Sequence, residues 1–426
     1  MTLDPSLDGR TETSLRYRGW RVVFVCFVMA TFSWGFGFYG QGVFLAELPS
    51  RHGWPTSLVA TAITSYYLVS AVLVAFVSDI LRRLGPKGMV LAGIACLSTS
   101  TASLPLIAAP WQLFAAFLVM AFGWAAMSLG AITNLLGLWF DRRRGLAISL
   151  ALNGASFAGI VVAPSLALLT ASIGFTQAVL LAVAAMVVTL TPLTLLWIDR
   201  ARHLEAGAEA PSARKAEARW TKTLALRSLH FWGVTGTFAI ALLVQVGFIV
   251  HQMAFLEPML GRAQAGVALG VTAGMALLGR IGLGAIIDRL DQRLATAMSL
   301  ASQAATLLIL TQTTSSVALL AACAIFGASV GNVITLPSLI VQREFEAASF
   351  GLLVGLSTAI CQIVYAAGPG LLGLLRDLTG GYALPFWICA ALDLAGAAII
   401  MLGRGASPGR IGGISNMGLE VCESRR

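Results

Sequence analysis

The sequence predicts an all-α integral membrane protein of twelve transmembrane helices, arranged as two six-helix bundles with both chain ends cytoplasmic. Three observations predict it. Hydrophobic residues make up 58% of 426 and charged residues only 11%, at a mean hydropathy of +0.84. A soluble surface needs roughly 25% charged residues, so this chain cannot cover itself against water. Apolar runs long enough to span a bilayer recur twelve times, and one long charged loop divides them six and six. The same composition excludes disordered, collagen-like and disulfide-rich secreted chains. Six cysteines (Cys26, Cys96, Cys323, Cys361, Cys389, Cys422) are scattered without a C-x-x-C pair, which supports neither a metal site nor a disulfide framework.

A helix crosses a 30 Å apolar core in about 20 residues. Runs of that kind occupy 20–46, 57–80, 88–107, 111–138, 145–172 and 175–198, then 231–256, 264–287, 294–313, 316–341, 349–375 and 382–402. The breaks carry turn chemistry: Pro49 and Pro55, Gly85-Pro86, Ala109-Pro110, Gly174 and Gly380-Gly381. Residues 1–19 form a polar tail with no A-x-A cleavage site after the first run, so that run is expected to be retained as a helix. Residues 199–230 form the central loop and 403–426 a second tail.

Lysine and arginine set the orientation. With the N-terminus inside, 24 of the 28 fall in cytoplasmic segments, three (Arg51, Arg262, Arg376) outside, and one, Arg280, within a span. This bias explains the net charge of +9 without nucleic acid. The expected location is the cytoplasmic (inner) membrane of a bacterium, as a multi-pass monomer in contact with lipid.

The two halves echo one another. Gln41-Gly-Val-Phe44-Leu45 recurs as Gln252-Met-Ala-Phe255-Leu256, Asp79 matches Asp288, and Ala163-Pro164 matches Gly368-Pro369, at offsets of 211, 209 and 205 residues. A parallel six-plus-six duplication places substrate near the midplane between the halves.

These features resemble the major facilitator superfamily. Its loop between helices two and three usually reads Gly-x-x-x-Asp-Arg-x-x-Arg-Arg. The C-terminal copy here has Gly284, Asp288, Arg289 and Arg293; the N-terminal copy keeps Asp79, Arg82 and Arg83 but has Ala75 for Gly and Ile80 for Arg. Within that superfamily the chain is similar to the monocarboxylate-porter and oxalate/formate-antiporter branch. The matches are Arg18-Gly19-Trp20, the run from Phe140 through Arg142, Arg143 and Arg144 to Leu146-Ala147, Gly279-Arg280, and Gly368, Pro369, Gly373, Asp377, Thr379, Gly380 and Tyr382. The resemblance covers about residues 18 to 402. It implies that Arg280 binds a substrate carboxylate. The branch's proton-coupled members place an Asp one turn before that arginine, where Ala276 stands here, and some carry a second cation near Tyr39 or Gly40 or in the eleventh helix, which has no Lys.

Residue chemistry agrees with that implication. An arginine near mid-bilayer costs about 2.5–3.5 kcal/mol by insertion scales, a cost normally borne facing a cavity or an anion. Its guanidinium can grip a carboxylate in bidentate fashion. The competing readings are snorkelling to the interface or pairing with Asp288. Polar residues expected to line the path are Tyr39, Asn134, Asn153, Gln245, Gln252, Asn332, Gln362 and Tyr365; such residues also serve as glue between helices. His251, Asp393 and Glu257 are the coupling candidates. Asp393, near the middle of the last helix, is read as a neutral acid bonded to a neighbouring helix, and Glu47 and Glu257 as solvated ends. Asp79, Arg83, Asp288 and Arg289 are expected to latch the cytoplasmic gate by charge-assisted bonds. The pairs Gly270/Gly274 and Gly351/Gly355 read as close helix packing.

The expectation is therefore a secondary carrier of a small organic anion, foremost a monocarboxylate, working by alternating access, with proton coupling or exchange left open and no cofactor. An enzyme would need a catalytic constellation, and no H-E-x-x-H, G-x-S-x-G or Walker sequence is present. Proton-driven efflux of lipophilic drugs is the alternative.

Overall fold

A computed structural model describes residues 12, 14, 17–198, 220–346 and 349–403. Twelve of its helices are long and apolar enough to cross a membrane: α1 Gly19–His52, α2 Thr56–Val74, α3 Val77–Leu106, α4 Pro110–Gly137, α5 Arg144–Ile173, α6 Phe175–Trp197, α7 Leu229–Leu260, α8 Arg262–Ile286, α9 Gln292–Gln312, α10 Ser316–Glu344, α11 Phe350–Thr379 and α12 Ala383–Leu402. Each matches one apolar run of the sequence. A helix satisfies every backbone group within itself, which hydrocarbon demands.

The helix ends follow local chemistry. α1 continues past its apolar run and stops at Gly53, whose φ of +66° provides a left-handed cap. α3 starts eleven residues before its run. The expected break at Gly85-Pro86 is a kink at Gly85 (φ +70°), which sets the charged turn of Asp79, Arg82 and Arg83 at an angle to the span proper. A short helix, Lys222–Arg227, leads into α7 and is capped by Thr221, whose hydroxyl accepts from the Leu224 amide at 3.2 Å.

Inside each bundle, small residues let backbones approach where no water drives association. A Cβ on Gly279 would collide with the Ala328 carbonyl, one on Gly327 with the Thr272 carbonyl, and one on Gly331 with the Ala276 carbonyl and, at 2.8 Å, the Arg280 amide. α8 and α10 thus lie backbone against backbone. Gly270 packs closely as expected, against Pro164 of α5; Gly351 and Gly355 correct the other expectation, since a Cβ on either meets nothing within 4 Å.

The duplication is visible in side-chain roles. Gln41 donates to the Met120 sulfur of α4 at 3.3 Å, and Gln252 to the Cys323 sulfur of α10 at 3.3 Å. Each glutamine therefore ties the first helix of its half to the fourth.

The outer ends of α1 at Gly19 and α12 at Leu402 share one end of the molecule with Trp197 of α6 and Leu229 of α7, here the terminal end. Among described residues, the cross-half hydrogen bonds and ion pairs gather toward the opposite, far end. A Cβ on Gly42 would sit 3.3 Å from the Ile249 carbonyl, which brings α1 against α7. Pro164 of α5 packs on Gly270 of α8, and the Gly370 amide of α11 donates to Thr64 of α2 at 2.9 Å, so these two contacts are pseudo-symmetric. The Asp377 carboxylate accepts from the Ser57 amide at 2.6 Å, capping α2 from the other half.

Candidate functional site between the bundles

Arg280 is half-buried on α8, six residues from its end at Ile286, which is about 9 Å of rise. Its Nε is buried without a hydrogen-bond partner, and among described residues no carboxylate pairs with the guanidinium. Buried charges are normally paired, which makes this guanidinium the candidate centre of the site. A group from the other half lies near it. Tyr39 of α1 is near enough for the Arg280 charge to act on its phenol.

Tyr39 owes its place to local backbone. Residues Gly35–Tyr39 form a π-helical turn within α1, and Ala158–Val162 form a second within α5. The two turns pack together, since a Cβ on Gly35 would lie 2.8 Å from Val162 Cγ1. The Tyr39 ring fills the space over Gly159, where a Cβ would come within 2.7 Å of it and would also collide with Ala273 of α8. Single π turns recur at functional sites because they re-aim a side chain. The sequence reading named Tyr39 but missed both π turns; the run Gly35-Phe36-Gly37-Phe38-Tyr39-Gly40 is the only trace of the first.

An aromatic wall continues from Tyr39. Phe38 stacks edge-on with Tyr39 at 5.0 Å and reaches Tyr67 of α2 at 6.5 Å; Tyr67 meets Tyr365 of α11 at 5.8 Å across the halves. The Tyr67 hydroxyl is buried and unpartnered. Gln362 reaches the Tyr365 hydroxyl from one turn away. Tyr67 and Phe38 escaped the sequence reading because apolar surroundings make them look like core.

The remaining candidates separate. His251 is fully buried, with Nε2 2.9 Å from the Pro369 carbonyl and Nδ1 3.0 Å from the Tyr382 hydroxyl. A carbonyl only accepts, so Nε2 donates to Pro369, while Nδ1 shares a hydrogen bond with the Tyr382 hydroxyl. The imidazole is satisfied on both sides and joins α7 to α11 and to the N-cap of α12. Gln252 is likewise engaged inside its bundle, donating to Thr272 at 2.8 Å. Gln245, buried with both amide atoms unpartnered, lies seven residues down the same face, level with Gly279 and Arg280. Asn134 donates to Ser78 at 3.2 Å and Asn332 to Ser299 at 3.2 Å, while Asn153 is exposed. Asp393 is fully buried with neither oxygen bonded.

Glu47 and Glu257 correct the solvated-end reading. Arg262 of α8 holds Glu47 of α1 at 2.6 Å and Glu257 of α7 at 2.9 Å, and Glu47 is only 4% exposed. This triad bolts the halves together at the far end. At the terminal end Asp79 pairs with Arg82 of its own turn at 3.6 Å, both well exposed, and Arg83 and Arg289 are exposed. The side chain of Asp288 lies outside the described residues, so its latch role does too. A charge cluster absent from the sequence reading sits nearby: Arg293 grips Glu344 with two bonds of 2.6 and 2.7 Å, and donates to the Ile400 carbonyl at 2.8 Å. His230 completes it at 3.0 Å from Glu344.

Residues 23–369 match the family model described as Major Facilitator Superfamily. Monocarboxylate transporter 11 of Mus musculus is 26% identical over 295 residues, 66% of this chain and 63% of that protein. The Homo sapiens protein of the same name is 27% identical over 298 residues, 66% of this chain and 61% of that one. The chain thus spans under two thirds of these relatives' length. Among solved structures, the nucleoside transporter NupG superposes with a TM-score of 0.69 at 11% identity, covering 91% of this chain and 98% of that one. A point variant of it reaches 0.73, also at 11%. Identity this low speaks for the fold alone.

Proposed function

The chain belongs to the Major Facilitator Superfamily and is a membrane transporter, not an enzyme; on that premise we propose that it carries a small organic anion, a monocarboxylate, by alternating access. The observation that carries this reading is Arg280, half-buried beside Tyr39 of the other half, with its Nε buried and unpartnered and no counter-charge among the described residues. One unmatched cation suits one carboxylate. Tyr39 supplies a hydroxyl beside it, and the wall of Phe38, Tyr67 and Tyr365 suits the apolar part of such a substrate. Arg280 stays uncompensated until the anion arrives, so binding relieves a cost the empty site bears. The monocarboxylate-transporter name of two distant relatives supports the same class.

By the lysine and arginine count the terminal end faces the cytoplasm of a bacterial inner membrane, so the Glu47–Arg262–Glu257 triad closes the outer side. Alternating access then requires that triad to part. The test is thermal stability of purified protein against a panel of mono- and dicarboxylates, wild type beside Arg280→Ala. A ligand at 100 times its Kd contributes about 2.7 kcal/mol. A monocarboxylate should stabilise wild type and leave the variant unmoved. Equal responses, or stabilisation by lipophilic cations alone, would replace the anion reading with drug efflux.

A further inference from the structure

Asp393 and Gln303 are two fully buried polar side chains whose oxygens, and the Gln303 nitrogen, have no partner. Helix register brings them to one level. Three residues toward the terminal end from Asp393, a Cβ on Gly396 would lie 3.2 Å from Leu300 of α9, and the Gly396 carbonyl accepts from Thr237 of α7 at 3.4 Å. α9 and α12 run antiparallel. Three residues back along α12 and three forward along α9 cover the same rise, about 4.5 Å, so Gln303 stands opposite Asp393. Both lie on the buried stripes of their helices, beside Cys389 and Gly396 on one and Leu300 and Leu307 on the other.

The unpartnered atoms are complementary. A carboxylic acid offers one donor and one acceptor, and a primary amide offers the same pair along one edge. A small rotation of the two side chains would let O–H meet Oε1 and Nε2–H meet the carboxyl oxygen, a two-bond ring that satisfies all four atoms. A carboxylate only accepts; it would use Nε2, confront Oε1, and leave a net charge in an apolar seam. The facing groups offer no compensation. α7 brings Thr237 to the seam, α9 adds Leu300, and on α12 only the Cys389 thiol titrates. Arg293 lies ten residues further down α9, engaged by Glu344 and the Ile400 carbonyl.

We propose that Asp393, paired with Gln303, is a proton-binding site in the seam of α7, α9 and α12, and that its proton is the one this carrier couples to transport. The step is a simple protonation, carboxylate plus proton giving the acid, and needs no other reactant. The rival coupling groups are occupied: His251 is bonded through both nitrogens, and Glu257 is paired with Arg262. Gly396 joins the seam to α7, and α7 packs on α1 at the far end, so proton occupancy reaches the helix that must part from α1. The inference rests on the chain being a carrier and not on the identity of its anion.

Infrared difference spectroscopy on full-length protein in liposomes, stepped from acidic to alkaline pH, reads the site directly. Wild type should show a carboxylic C=O band that disappears on alkalinisation and shifts in heavy water. Asp393→Asn should lack that band, and Gln303→Leu should keep it at a frequency shifted by loss of the amide bond. A band unchanged in Asp393→Asn, or no titrating band in wild type, overturns the site; a band unmoved in Gln303→Leu overturns the pairing. A pH-sensitive dye inside the same liposomes then reports proton movement on adding lactate. If wild type moves protons, Asp393→Asn should not, and an equal flux overturns coupling. If wild type is silent while the infrared band titrates, the anion assignment fails and the proton site stands.

Discussion

The two six-helix halves share a packing plan and differ in nearly everything polar. Gln41 and Gln252 make the same sulfur contact, and the α5–α8 and α2–α11 contacts repeat each other across the seam. Yet the N-terminal half offers aromatic rings to the middle of the molecule, Phe38, Tyr39 and Tyr67, while the C-terminal half holds Arg280, His251, Asp393 and the Arg293–Glu344–His230 cluster. At the offset of the matching aspartates, the N-terminal position corresponding to Arg280 is Ala71. Helix contacts made by small residues and amides survive duplication because they fix geometry. The charged residues are free to diverge, and on the proposed reading one cation in one half is enough for one anion.

That contrast breaks most visibly at the terminal end. Arg293→Ala removes a bidentate partner from inside the C-terminal half; losing one member of a buried pair costs about 3–5 kcal/mol, which thermal unfolding should register as a large drop in Tm. Asp79→Asn, at the corresponding turn of the N-terminal half, touches an exposed pair and should leave Tm unchanged. Equal losses would show that the halves are not so different.

A smaller effect tests the shared α8–α10 plan. Gly331→Ala drives a Cβ into the Ala276 carbonyl and the Arg280 amide. Overpacking of this kind costs about 1–3 kcal/mol, and because it displaces the Arg280 backbone it should also abolish anion-dependent stabilisation. A variant that loses stability and keeps the full anion response would detach Arg280 from binding.

The glutamine pair sharpens the comparison from the other side. Gln41→Leu and Gln252→Leu both remove the sulfur contact, but Gln252→Leu also removes the bond to Thr272 of α8. With each interhelical bond worth about 0.6–1.7 kcal/mol within a membrane, its loss in thermal stability should exceed that of Gln41→Leu by about one such bond. Equal losses would show that the Thr272 bond contributes nothing beyond the shared plan. The least energetic prediction concerns the far end. In a cysteine-free background, Thr64→Cys with Gly370→Cys should cross-link readily, and adding Glu47→Gln should lower the yield by loosening the bolt to Arg262. An undiminished yield would show that packing alone holds the halves closed.

Much of this was legible in advance because hydropathy is a local property. Twelve runs, their order, the six-plus-six division and the depth of Arg280 follow from residue type and rise per residue, with no knowledge of neighbours. Which side chains meet was not legible. Tyr39 reaches Arg280 through two π turns that sequence periodicity does not reveal. Glu47 and Glu257 read as helix mouths by sequence, and only the fold sets Arg262 between them; likewise only the Gly396 contact fixes the register of α12 against α9 and so what faces Asp393. The physical reason is rotational phase. In hydrocarbon every face of a helix can be apolar, so composition says that a helix spans but not which way it turns, and the packing of small residues decides that only in three dimensions.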